Sequence, residues 1–168
     1  MAANYLEQLV AEWYEYQGYF VRWNVLVGKL AAGGHEGELD IVTFNPVKSH
    51  LVHIEPSMDA DSWKEREDRY KRKFETGKKY IPKMFAGFEL PQEIEQIALL
   101  VFASKKNHST LGGGKIMLIT ELLRDIFATL RNKGLATEAV PEHLSILRSF
   151  QFVIDYRDLL FNEGDRQG

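Results

Sequence analysis

The sequence predicts an α/β protein, a mixed β-sheet with helices on both faces. Three observations carry this. Segments with helical spacing of apolar residues interleave with short β-rich runs in the order αβββαββαα, the pattern of a layered domain. The turn sequence Asn45-Pro46-Val47-Lys48-Ser49 joins two of those runs as a hairpin. Composition is that of a globular chain, 45% hydrophobic and 27% charged over 168 residues, enough to bury one sizeable core. Residues 1–161 are expected to form a single domain, with the polar stretch 162–168 fraying.

Residues 4–17 read as the first helix. Tyr5, Leu9, Trp13 and Tyr16 recur at helical spacing, and Gly18 follows as a stop. Residues 19–27 are rich in aromatic and β-branched side chains and read as a strand. A loop of small residues, 31–37, leads into the hairpin strands 38–44 and 50–55. A long helix over 61–80 carries the apolar stripe Trp63, Tyr70, Phe74 and Ile81. Ser57, Asp59 or Asp61 would cap it, and Pro82 marks its end. Residues 94–104 read as a buried strand, 105–114 as a polar Gly-rich loop and 115–119 as another strand. Residues 121–132 and 141–160 read as helices with apolar stripes.

The hairpin brings acids together. If Asn45 pairs with His50 across a four-residue turn, paired residue numbers sum to 95. Asp40 then faces Glu55, and Glu38 faces Ser57. Because side chains alternate with period two, Glu38, Asp40, Val42, His53, Glu55 and Ser57 share one face. Leu39, Ile41, Thr43, Val52, Ile54 and Pro56 share the other, which reads as core. Opposed like charges destabilise a sheet. A divalent cation, a shared proton or simple exposure to water would each relieve them.

Charge and composition exclude several classes. There is no Cys, hence no disulfide and no thiolate metal site. Glu7 and Glu12 interrupt any signal-peptide pattern. The longest apolar run, residues 97–103, is too short to span a bilayer. The expected location is the cytoplasm, and no membrane partner or organic cofactor is implied. The net charge is −3, yet residues 64–83 hold nine Lys or Arg against four Asp or Glu. A basic helix on an acidic body is a candidate phosphate-facing surface, or equally a solvated face of i,i+4 ion pairs. Gly112-Gly113-Gly114-Lys115 lacks the first glycine and the hydroxyl residue of a P-loop. Lys105, Lys106, His108 and Lys115 surround that glycine run, which reads best as a hairpin loop. Trp13, Trp23 and Trp63 lie in apolar patterns and read as core.

Taken together, Glu7 on the first helix, the strand entry Gly18 to Val21, the run Gly37-Glu38-Leu39-Asp40, the hairpin acid Glu55 and the element order resemble the PD-(D/E)XK nuclease superfamily. Small resolvase-like and Mrr-like members are the most similar, and the resemblance covers residues 4–80. It implies a restriction-endonuclease-like fold and metal-dependent hydrolysis of DNA phosphodiesters. Asp40 and Glu55 would bind Mg²⁺ or Mn²⁺, helped by the Pro56 carbonyl. Glu7 would support the metal or its water, and Glu38 matches a further acid of the resolvase-like pattern. Family members commonly pair, so DNA and a second copy of the chain are the implied partners.

One position departs from the pattern. Ser57 stands where the family has a lysine that holds the attacking water. A serine hydroxyl can bond that water but brings no charge. Either the lysine role has moved onto the following helix, with Lys64 first and Arg66 second in line, or metal alone suffices, or the fold has lost catalysis and binds nucleic acid or a partner protein.

Overall fold

The computed structural model of the chain describes residues 4–161, so the expected fraying at 162–168 lies outside the described residues. The chain divides into two compact units, Met1–Ile119 and Thr120–Gly168. The first holds a helix α1 (Tyr5–Tyr16), strands β1 (Phe20–Lys29), β2 (His35–Asn45) and β3 (His50–Ser57), a helix α2 (Trp63–Met84), and strands β4 (Glu95–Leu100), β5 (Thr110–Leu111) and β6 (Gly114–Leu118). The second holds α3 (Ile119–Leu130), α4 (Ser145–Asp155) and α5 (Arg157–Phe161). The sheet is six-stranded and mixed, in the order β1-β2-β3-β4-β6-β5.

The turn chemistry sets the register of β2 and β3. Asn45 pairs with His50 and Ile41 with Ile54, so paired numbers sum to 95. Asn45 fixes the turn by accepting from the Lys48 amide at 3.0 Å and donating to the Gly18 carbonyl at 3.2 Å. The paired residues stop at Ile41 and Ile54. The expected oppositions of Asp40 with Glu55 and of Glu38 with Ser57 are therefore not part of the ladder; Glu38 pairs with Leu26, Glu55 with Ala98 and Ser57 with Leu100. β3 continues as a parallel partner of β4, with His53 beside Gln96 and Glu55 beside Ala98. Pro56 falls beyond the end of the β2 pairing, where a missing N–H costs the sheet least.

Differences from the sequence reading are local. The helix expected to stop at Pro82 runs on to Met84 with the proline inside it, its end anchored by buried Ile81 and Phe85. Its cap is Ser62, in a reciprocal capping box with Glu65, rather than Ser57, Asp59 or Asp61. The Gly-rich loop ends in a short hairpin. Gly112 (φ 58°) and Gly113 (φ 84°) form its two-residue turn, a backbone that glycine alone adopts easily. The long helix expected over 141–160 is two helices broken at Tyr156, and residues 141–144 precede them as a loop. The observed order is αβββαβββααα.

Both faces of the central strands are buried. Ile41, Val42, Thr43 and Phe44 of β2 and residues 51–57 of β3 are all inaccessible. On the face that carries the acids, Val42, His53, Glu55 and Ser57 are buried while Glu38 and Asp40 are partly so, which leaves simple exposure to water as no account of Glu55. α1 contributes Leu6, Leu9, Val10 and Trp13 to the core, α2 contributes Tyr70, Phe74 and Ile81. Trp23 is 40% exposed rather than core, and Trp63 is half-buried. In the second unit, buried Gln151 ties the loop to α4. Its amide donates to the Lys133 and Glu138 carbonyls and accepts from the Val140 amide.

Candidate active site

β3 and α2 belong to a β-α-β crossover, so the helix runs back along the strand in the opposite direction. Their repeats match. Four helical residues advance about 6 Å and two strand residues about 6.6 Å. Successive turns of α2 therefore meet successive inward residues of β3. Arg69 reaches Ser57, Lys73 reaches Glu55, and Gly77 lies against His53. A Cβ on Gly77 would overlap the His53 ring, which explains a glycine in mid-helix despite a cost of about 1 kcal/mol.

Lys73 is the centre of this seam. Its Nζ donates to Asp40 Oδ2 at 2.7 Å and to Glu55 Oε2. The other Glu55 oxygen accepts from His53 Nε2 at 2.7 Å and from the Asp40 amide at 3.3 Å. His53 Nδ1 faces the Gln96 amide nitrogen at 3.5 Å, and that amide donates to the Phe74 carbonyl at 2.8 Å. Gln96 can only donate through this nitrogen, so Nδ1 is the acceptor and the Nε2 proton points at Glu55. Tyr70 closes the site by donating to the Glu55 carbonyl at 3.1 Å.

Burial gives these contacts their weight. The Glu55 side chain is 1% exposed and that of Asp40 14%. Burial first, and then the adjacent Glu55, push Asp40 up to about 7 against the pull of Lys73. Burial draws the Lys73 ammonium down, but Glu55 and Asp40 together outweigh it and raise it to about 12. Burial, with Lys73 nearby, drives His53 down to about 3, so the ring is neutral at physiological pH. One ammonium thus serves two enclosed carboxylates, and a third stands close. Glu7 on α1 is raised by burial and by Asp40, with Glu38 adding a smaller push.

Of the residues singled out from sequence, the structure joins Asp40 and Glu55 through Lys73, while Glu7 stands near enough to Asp40 and Glu38 to feel their charge. It does not place Ser57 among them. The Ser57 hydroxyl donates to Asp59 at 3.1 Å, accepts from the Asp59 amide at 3.1 Å and receives Arg69 Nη2 at 3.4 Å. Nor does it place Lys64 there. Lys64 is exposed on the first turn of α2, five residues before Arg69 and so about 7.5 Å past the Ser57 level. Arg66, second in line, is buried and donates to the Asp59 and Phe102 carbonyls, which fastens two loops. Pro56 is buried in the ladder opposite Leu99.

Lys73 was legible only through helical phase. It lies three residues after Tyr70 and four before Gly77, inside the buried stripe of α2. A lysine in that stripe needs a partner, and the hairpin acids are the partners within reach.

Among the described residues no group of three or more His, Cys, Asp or Glu side chains is arranged as a cage for an ion. Asp40 and Glu55 nevertheless suit a hard cation that keeps most of its waters and takes only one or two carboxylates. The donor set is all oxygen, and its negative charge exceeds what Lys73 supplies. Lys73 would have to step back from Glu55 Oε2 to admit the ion; its side chain is 31% exposed and has room outward. No protein-family model, no curated protein and no solved structure matches the chain.

Proposed function

We propose that this chain hydrolyses DNA phosphodiesters with the help of Mg²⁺ or Mn²⁺, on a restriction-endonuclease-like fold. One observation carries the reading: Lys73 bridges Asp40 and Glu55, so the cation missing at Ser57 is delivered to the same carboxylates from α2. When bound, the metal would supply a water of lowered pKa and offset charge on the phosphate. Asp40 and Glu55 would hold the ion. Glu7 helps to orient the water. Lys73, displaced from the pair, offers its ammonium to the water or to the phosphate oxygens. His53, neutral and fixed by Gln96, keeps Glu55 turned toward the site. Cutting both strands would call for a second copy of the chain. Among the described residues no helix is long and apolar enough to cross a membrane.

The test is cleavage of linear, nicked, branched and single-stranded DNA with Mg²⁺ or Mn²⁺. Asp40→Ala is expected to abolish cleavage while the protein stays folded. Equal rates in wild type and Asp40→Ala would sink the reading. Binding of DNA without any cleavage would leave the fold as a binding module.

A further inference from the structure

Beyond Ser57 the seam opens into a second feature. A pocket of about 440 Å³ lies between residues 60–66 and 102–108, within the size range of small-ligand sites. Trp63 and His108 line it with their rings 4.0 Å apart at 30°. Phe102 also lines it and is 59% exposed. Arg66 stands 5.7 Å from the Trp63 ring centre. Arg66 is 4% exposed, and its Nε finds no hydrogen-bond partner among the described residues. A buried guanidinium N–H without an acceptor costs stability, and a ligand acceptor would recover it if the Arg66 side chain turned toward the pocket.

The aromatic lining suits the face of a flat, aromatic group. At the N-terminus of α2 the Ser62–Glu65 capping box occupies the Ser62 and Glu65 amides. Asp61 and Lys106 line the pocket as well, one acid and one base beside Arg66, and the Asp61 carboxylate is held by Arg69 at 2.6 Å. Stacking surface, a spare N–H, the Ser104 hydroxyl and the Asn107 amide together match the face and edge of a nucleobase. Arg69 also links the pocket to the end of β3, since it bonds Asp61 on one side and Ser57, two residues from Glu55, on the other.

We propose that this pocket receives an unpaired nucleobase of the strand bound at the Asp40–Glu55 centre. The inference rests on the nucleic-acid reading above and names its substrate class: DNA with an unstacked base beside the scissile phosphate, in a single strand, a branch or a distorted duplex. The base stacks on the Trp63–His108 pair and accepts from Arg66.

The experiment measures binding without metal, so it does not depend on cleavage. Single-stranded oligonucleotides carry one 2-aminopurine, or one abasic position, at each site in turn, and are titrated with protein in EDTA. At one position the 2-aminopurine emission is expected to fall on binding, and the abasic strand is expected to bind about 5- to 100-fold more weakly. His108→Ala, at an exposed position, and Trp63→Ala are expected to abolish the emission change, and Trp63→Phe to retain part of it. Equal affinity for intact and abasic strands at every position overturns the proposal, as does an emission change undiminished in both alanine variants. A protein that cuts DNA with no dependence on these residues loses the pocket and keeps the nuclease reading. One that stacks the base and never cuts keeps the pocket and loses that reading.

Discussion

Strand β3 carries two histidines three residues apart, each paired with a glutamate, one on β4 and one on β3 itself, and the pairs do different things. His50 meets Glu95 at 2.8 Å, and His53 meets Glu55 at 2.7 Å. The first pair is 39% and 37% exposed, the second 0% and 1%. At the surface, water solvates either partner if the contact breaks, and such a pair is worth about 0–1 kcal/mol. Tyr19 and Lys115 join it loosely, at 2.7 Å from His50 and 3.9 Å from Glu95. In the interior no water stands in. Every hydrogen-bonding group of the second pair has a protein partner, and the Glu55 charge draws Lys73 from the next layer. The same two residue types are a surface ornament in one place and the foundation of a site in the other, and burial is what separates them.

The largest effect that would break this contrast is Lys73→Met. It leaves a buried carboxylate facing Asp40 with no cation, and removing one partner of such a pair costs about 3–5 kcal/mol. Chemical denaturation of the two proteins measures it. A loss below 1 kcal/mol would place the centre with the surface pair.

Protonation gives the next effect. Asp40 is held up at about 7, well above an unfolded aspartate, so the folded chain binds its proton more tightly. That contribution lowers stability as pH rises from about 4 to 7. His53, held down at about 3, acts oppositely and raises stability up to about pH 6.5. Asp40→Asn removes only the falling contribution, so this variant should gain on the wild type between pH 4 and 7 and keep its advantage above. A difference independent of pH would contradict the burial argument. On the alkaline side Lys73, raised to about 12, stabilises the fold below pH 10.5 and loses that contribution as pH climbs through 12.

The smallest effect is His50→Ala. Its loss should stay within about 1 kcal/mol by the same denaturation measurement. A cost matching that of Lys73→Met would erase the distinction between the two ends of β3.

The hairpin was readable because its information is local. The turn at Asn45 to Ser49 sets a register, and period two then decides which side chains share a face. From those facts Asp40 and Glu55 come together without reference to the rest of the chain. Lys73 was not readable the same way. It belongs to another element, and its place depends on where α2 starts, at Ser62, and on its running back along β3. The lysine nearest in sequence, Lys64, misses because a crossover helix begins past the end of its strand and returns. The burial of Glu55 was left undecided for a related reason: alternation on β2 and β3 shows which residues share a face, not whether a helix covers it. Trp63 shows the converse, an apolar stripe residue that leaves the stripe at the first helical turn and lines a pocket.

The central claim is that Lys73 serves the Asp40–Glu55 centre in the role left vacant at Ser57. Its most direct test is the initial rate of Mg²⁺-dependent DNA cleavage by wild type, Lys73→Met and Lys64→Ala, each shown to be folded under assay conditions. The account predicts a loss of about 10²-fold or more for Lys73→Met, the scale of removing a positioned charge or proton-handling group, and no change for Lys64→Ala. Cleavage by Lys73→Met at the wild-type rate would contradict it.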